Sequence, residues 1–166
     1  MPYTIEELSD REQIRDAAMR YCHGVDRLDP DYMKSAYWPE ATDDHGNFSG
    51  NAHEFVDYCM EAHLRWQWTM HSIYNHQIEL DEDGIHARGE IYNISHLCRK
   101  DTGMVDTWYG RYLDLYEKRD GEWKILERVC VHHGTQVIDA GRMPMQTSQY
   151  RGGAFDRPAN GRPIGP

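Results

Sequence analysis

The chain has 166 residues and a formal net charge of −10, from 18 Lys and Arg against 28 Asp and Glu. That length suits one domain with one core, and a negative chain with no basic cluster argues against nucleic acid or an anionic membrane as partner. The four cysteines lack the close spacings of metal knuckles or redox pairs, and no apolar leader or long apolar run is present, so a reduced, cytoplasmic protein is expected.

Thr4 followed by Glu7 reads as a capping box for a helix from about Ile5 to Val25, with Ile14, Ala18, Tyr21 and Val25 on one face. Pro30 and Pro39 bracket DYMKSAYW, which predicts a short helix turning Met33, Ala36 and Tyr37 inward. Asn51 caps a third helix, with Glu54 at the box position and Ala52, Phe55, Val56, Cys59, His63 and Trp66 at helical spacing.

After Trp68 the period changes. HSIYNHQIEL, IHARGEIYNISHLC, TWYGRYLDLYEK and EWKILERVCVHH are rich in strand formers, and DEDG and KRDG between them signal hairpin turns. Helices followed by an antiparallel meander give an α+β fold. A strongly curved antiparallel sheet closing over three N-terminal helices leaves a cone, apolar inside and open at one end. Residues 1–140 are expected to form this domain. The Gly/Pro-rich stretch 141–166 has too few apolar residues for a core and is expected to be a tail.

Ten histidines, eleven Tyr and five Trp against three Phe suit a pocket that is apolar in body and hydrogen-bonding at points. Asp26 lies one helical step beyond Cys22, at the edge of the first helix's apolar stripe, and a carboxylate there needs a partner. His71, in TMHSIYN at the start of the first long strand, is the natural one. Carboxylate to imidazole fixes the ring tautomer and leaves the other nitrogen free to take a proton. His96 is in phase with Tyr92 on the next strand, and Arg128 with Cys130 and His132 on the last. Bland readings compete: a lone strand histidine is ordinarily core or surface, Asp26 equally suits closing the VDRLDPD turn, and Tyr21 on an apolar stripe is ordinarily core. His53, His76 and His86 are expected at the surface, and Met19, Met33, Met60 and Met70 as gap-filling core. No HExxH or HxH spacing occurs, so a site without metal is favoured, and no serine or cysteine stands in a nucleophile's context.

The helix-end YCHGVDRLD, the segment WPEATDDHGNFSG, TMHSIYN and GRYLDLYEKRDGEWKILERV together resemble a SnoaL-like member of the NTF2-like superfamily over about residues 5–135. By motif the chain is similar to the metal-free lyases scytalone dehydratase, hexachlorocyclohexane dehydrochlorinase and bile-acid 7α-dehydratase. The resemblance implies that Asp26 and His71 match the Asp–His dyad of those enzymes. It also puts a second catalytic histidine at His96, a pocket asparagine's position at Tyr112, a catalytic tyrosine at Tyr21 and a late arginine at Arg128. The two tyrosines that hold a water in scytalone dehydratase fall at Val25 and His45, so that pair is absent and His45 becomes a third pocket imidazole.

The resulting expectation is a lyase needing no cofactor or metal, acting on an apolar, aromatic or polycyclic hydroxylated small molecule by dehydration or by C–C cleavage such as deformylation of a lignin-derived diaryl compound. Asp26, His71, His96 and Tyr21 are the expected catalytic residues. His45, Tyr112, Arg128, Tyr92, Trp38, Phe55, Met70, Trp108 and His132 are expected to line the substrate cavity. A double-bond isomerase and a non-catalytic binding domain are the alternatives. Alternating Trp, Tyr and Ile on the outer sheet face suggest a homo-oligomer, dimer or trimer.

Overall fold

The computed structural model describes residues 2–139; the expected tail, 141–166, lies outside them. The elements are α1 Ile5–Asp26, α2 Pro30–Lys34, β1 Tyr37–Asp44, β2 Ser49–Asn51, α3 Ala52–His63, β3 Trp66–Leu80, β4 His86–Arg99, β5 Met104–Arg119 and β6 Glu122–Asp139. They form the α+β, NTF2-like cone, three helices held in one curved six-stranded sheet of order β2-β1-β6-β5-β4-β3. No helix among the described residues is long and apolar enough to cross a membrane.

The capping box forms: Thr4 Oγ1 accepts from Glu7 N–H and Glu7 Oε2 from Thr4 N–H. Ile14, Ala17, Ala18, Tyr21, Cys22 and Val25 of α1 are buried against the sheet. Leu28 then takes a left-handed φ of 48°, and Asp29 caps α2 by accepting from Tyr32 N–H at 3.1 Å. Asp29, with Pro30 behind it, therefore closes the turn, and Asp26 is left to point inward. Gly24 lets α2 lie on α1, since a Cβ there would sit 2.6 Å from Met33.

Two segments depart from expectation. The second helix ends at Lys34, and Tyr37 and Trp38 open β1 instead, where Pro39 sits at an irregularity in the pairing between Tyr37 and Thr42. Trp66 belongs to β3, because α3 ends at His63 with Leu64 as its cap. The meander β3 to β6 is antiparallel throughout, but β1 runs parallel to β6, so the sheet is mixed. A parallel neighbour needs a long crossover, and β2, α3 and the first three strands of the meander supply it. Asp120 and Gly121, with φ of 51° and 83°, make the tight β5–β6 hairpin that KRDG signals.

Inward and outward faces alternate along the long strands, interrupted by register shifts such as those between Ile73 and His76 of β3 and between Tyr109 and Gly110 of β5. Ala87, Ile91, Asn93 and Ser95 of β4 pair with Tyr116, Tyr112, Gly110 and Trp108 of β5 on the inner face. Tyr92, Ile94 and His96 pair with Arg111, Tyr109 and Thr107 on the outer one.

Candidate active site

Asp26 at the end of α1 meets β3, which is an edge strand and so has outward N–H groups without a ladder partner. Its carboxylate takes three donors from that strand. His71 Nδ1 bonds Oδ1 at 2.7 Å, the His71 backbone N–H bonds Oδ2 at 2.8 Å, and Thr69 Oγ1 donates to Oδ1 at 2.8 Å. Burial alone would raise the Asp26 pKa, but the charge and hydrogen bonds of His71, with the Thr69 bond, outweigh it and hold the group below the ordinary carboxylate value. Asp26 therefore stays ionised and keeps the Nδ1 proton of His71, which presents Nε2 as the free ring nitrogen.

His71 lines a cavity of about 180 Å³ with Tyr21, His45, Phe55, Trp108, Tyr112 and, at its other walls, Asn47, Tyr58, Cys59, Ala62, His63, Arg65, Ser95, Leu97 and Cys130. That volume is close to the ~150 Å³ in which one benzene ring is held in an apolar cavity. His45, just past β1, is bonded through Nδ1 to Asp43 and stacks on Phe55 at 4.3 Å. Tyr21 OH meets His45 Nε2 at 3.2 Å. His63 donates Nδ1–H to the Cys59 carbonyl at 2.8 Å; burial, with His71 beside it, lowers its pKa to about 4, so it is neutral at ordinary pH. Cys22, Cys59 and Cys130 are pushed up to about 12 by burial and stay thiols, poor nucleophiles.

Arg128 stands behind this wall rather than in it. It is 1% exposed, is held by Asp114 in a fork of 2.7 Å and 2.7 Å, and lies over the Tyr21 and Tyr112 rings at 4.4 and 4.2 Å. It orients the two tyrosines that line the cavity.

Of the expected site residues, Asp26, His71, Tyr21, His45, Tyr112, Phe55 and Trp108 come together. Arg128 supports them, and His132 is exposed at the rim, 5.9 Å from the Trp108 ring. Four others require correction. His96, Tyr92 and Met70 do share phase and neighbourhood, but on the outer face: Met70 pairs with His96, whose Nδ1 bonds Thr107 Oγ1 at 3.1 Å. Ser95 and Leu97 take the inner positions on either side of His96. Trp38 is also displaced; it donates its indole N–H to the Glu117 carbonyl and is covered by Arg119 and Lys124. Met19 and Met70, expected in the core, are more than half exposed. His76 is no surface residue: its Nδ1 is buried without a hydrogen-bond partner among the described residues, and its Nε2 lies 3.5 Å from the Tyr116 hydroxyl.

Sequence reasoning missed Asp43, Tyr37, Thr69 and Asp114. Strand alternation contained the signal for Asp43 and Thr69, which stand two residues before His45 and His71 and so share their side of the chain.

The depressed histidines give a pH prediction. His63 and His76 both titrate at about 4 when folded, for burial disfavours the charged ring, and near 6.5 when unfolded. Between these values the unfolded chain binds more protons, so stability is fully present above about pH 6.5 and declines as pH falls toward 4. Urea unfolding across that range is expected to show the slope, and His63→Gln to reduce it by up to about one proton. An unchanged slope in that variant would mean the ring is solvated.

The SnoaL-like domain model matches residues 6–129. The chain belongs to the SnoaL-like family. The fold is shared with solved structures of low identity. The type 2 hexachlorocyclohexane dehydrochlorinase LinA superposes at a TM-score of 0.74 with 18% identity, over 86% of this chain and 97% of that one. A scytalone dehydratase-like protein from Novosphingobium aromaticivorans gives 0.73 and 17%, over 85% and 99%. A LinA-type dehydrochlorinase from Novosphingobium barchaimii gives 0.74 and 18%, over 84% and 97%. No curated protein is a close match for the chain.

Proposed function

We propose that this SnoaL-like protein is a lyase: His71, oriented by Asp26, takes a proton from carbon in a hydroxylated aromatic small molecule, and a group on the adjacent carbon is expelled. The observation that carries this reading is the Asp26–His71 pair, whose ring lines the cavity while its Nδ1 is fixed from behind. A carboxylate-held imidazole in a mostly apolar pocket is a general base, and the Tyr21 and His45 end of the cavity provides hydrogen-bonding groups for a departing or developing oxygen anion. Two of the similar structures are named as a dehydrochlorinase and as dehydratase-like, both eliminations. Phe55, Trp108 and Tyr112 give the ring-shaped part of a substrate its walls, and the cavity volume limits the enclosed portion to about one ring. A second ring of a diaryl compound would extend past Asn47 and Tyr58.

The proposed chemistry moves protons with protein groups alone. Among the described residues no three His, Cys, Asp or Glu side chains converge as a metal set would need. The test is mass spectrometry of a panel of hydroxylated aromatics, including β-hydroxy ketones and diaryl diols, incubated with protein before and after exhaustive EDTA treatment. A product lighter by water, formed equally after EDTA, is the expected result, and a product lighter by formaldehyde would move the abstracted proton from carbon to a hydroxyl. Loss of activity that zinc restores would overturn the metal-free mechanism; a product of unchanged mass would indicate an isomerase; recovery of bound but unaltered ligand would indicate a binding domain.

The reading extends to assembly. The outer sheet face exposes Met70, Tyr92 and Leu113 at 54%, 42% and 37%, an apolar content that favours covering by a second copy. Light scattering at micromolar concentration is expected to give a dimer or trimer mass, and a monomer mass sinks this part.

A further inference from the structure

Facing the same cavity is a second imidazole held by a second carboxylate. The strands leading to the two histidines, β1 and β3, lie toward opposite edges of the sheet, and its curvature brings them to one space. Asp43, on the inner face of β1, has a fully buried side chain. Its Oδ2 accepts the Tyr37 hydroxyl at 2.6 Å and its Oδ1 takes His45 Nδ1–H. The nearby guanidinium of Arg128 is forked onto Asp114, so among the described ion pairs Asp43 has His45 as its partner. That carboxylate fixes a proton on the ring at Nδ1, as Asp26 does for His71. With Nδ1 fixed, Nε2 is directed at the Tyr21 hydroxyl, 3.2 Å away, and both groups border the cavity. Burial raises the Tyr21 pKa well above its usual value, so this phenol gives up its proton only if another replaces it.

We propose that Asp43, His45 and Tyr21 form the proton-donating arm of the site. As His71 Nε2 takes the C–H proton, the electrons of that bond form the new π bond and the bond to the leaving oxygen breaks. That oxygen takes the Tyr21 hydroxyl proton, and the Tyr21 oxygen takes the Nε2 proton of His45. The cycle leaves His71 protonated and His45 neutral; solvent at the cavity mouth accepts the one proton and returns the other. Tyr21 touches the substrate, and Asp43 acts through His45 as a positioning residue.

This inference rests on the lyase reading, and the test separates the two. Benzisoxazole and its nitro derivative are probes of base-catalysed elimination: a base removes the ring C–H, the N–O bond breaks, and a phenolic oxygen departs. The nitro group makes that oxygen a good leaving group needing little help from an acid. His71→Gln is expected to lose activity equally on both probes. His45→Gln, Asp43→Asn and Tyr21→Phe are expected to lose at least about tenfold more on benzisoxazole than on the nitro compound. Equal losses on both probes, or no loss, in those three variants would overturn the arm while leaving His71 as base. A wild-type protein inactive on both overturns the base and the arm with it. Nitrogen NMR of the wild-type imidazoles needs no variant: protons on both ring nitrogens of His45 are expected, and a bare Nε2 would overturn the relay.

Discussion

His71→Ala is expected to lower turnover by about 10²–10⁴-fold, on the natural substrate and on nitrobenzisoxazole alike, with little change in substrate affinity. Proton transfer is lost while the walls made by Phe55, Trp108 and Tyr112 remain. Asp26→Asn should lose a comparable or somewhat smaller factor, since the ring stays but its tautomer is no longer held by the 2.7 Å bond to Nδ1. The double variant should be little worse than the poorer single, because the two side chains act as one unit. His96→Ala serves as the contrast: its ring is on the outer face beside Thr107, and turnover should stay near that of the wild type. Initial rates for the wild type and the four variants decide the matter. A nearly active His71→Ala with an inactive His96→Ala would move the base to the other side of the sheet.

The largest effect on stability is expected at Arg128. Its guanidinium is buried, forked onto a buried Asp114, and covered by the faces of Tyr21 and Tyr112. Arg128→Leu removes the cation and leaves the Asp114 carboxylate with the 2.6 Å bond from Tyr116 but no counter-charge. Breaking one side of such a pair costs about 3–5 kcal/mol, a large share of a domain's whole stability. Replacing both partners, Arg128→Leu with Asp114→Leu, should recover much of that loss, since no uncompensated charge is then left inside. Urea unfolding free energies of the two singles and the double are the measurement. A single variant within about 1 kcal/mol of the wild type would show that Asp114 takes a proton or water at little cost.

The cone itself was legible because its signals are local. A capping box, a helical apolar stripe and two Gly-containing hairpin signals each depend on neighbours within a few residues, and all appear where the sequence puts them. β1 was not legible. Tyr37 and Trp38 follow a helical segment and are interrupted by Pro39, and only the returning β6 supplies the partner that makes this stretch a strand. The parallel β1–β6 pairing, and with it the mixed sheet, depends on contacts some ninety residues apart.

The site divides the same way. The sequence by itself determined that Asp26 ends an apolar helical face and that His71 lies in the first long strand, which is enough to pair a carboxylate with an imidazole. It also set the phase of each strand, so Tyr92 with His96, and Arg128 with Cys130 and His132, do share a face. Which face looks inward was decided only by tertiary structure. Both sides of β4 mix polar and apolar residues, so alternation leaves its sense open, and pairing with β5 turns Asn93 and Ser95 inward and His96 outward. A shift of one residue in that choice exchanges every side chain between cavity and exterior. The approach of Tyr21 to His45 Nε2 likewise exists only once α1 is enclosed by the curled sheet, because the two residues come from different elements and no local pattern carries their 3.2 Å contact.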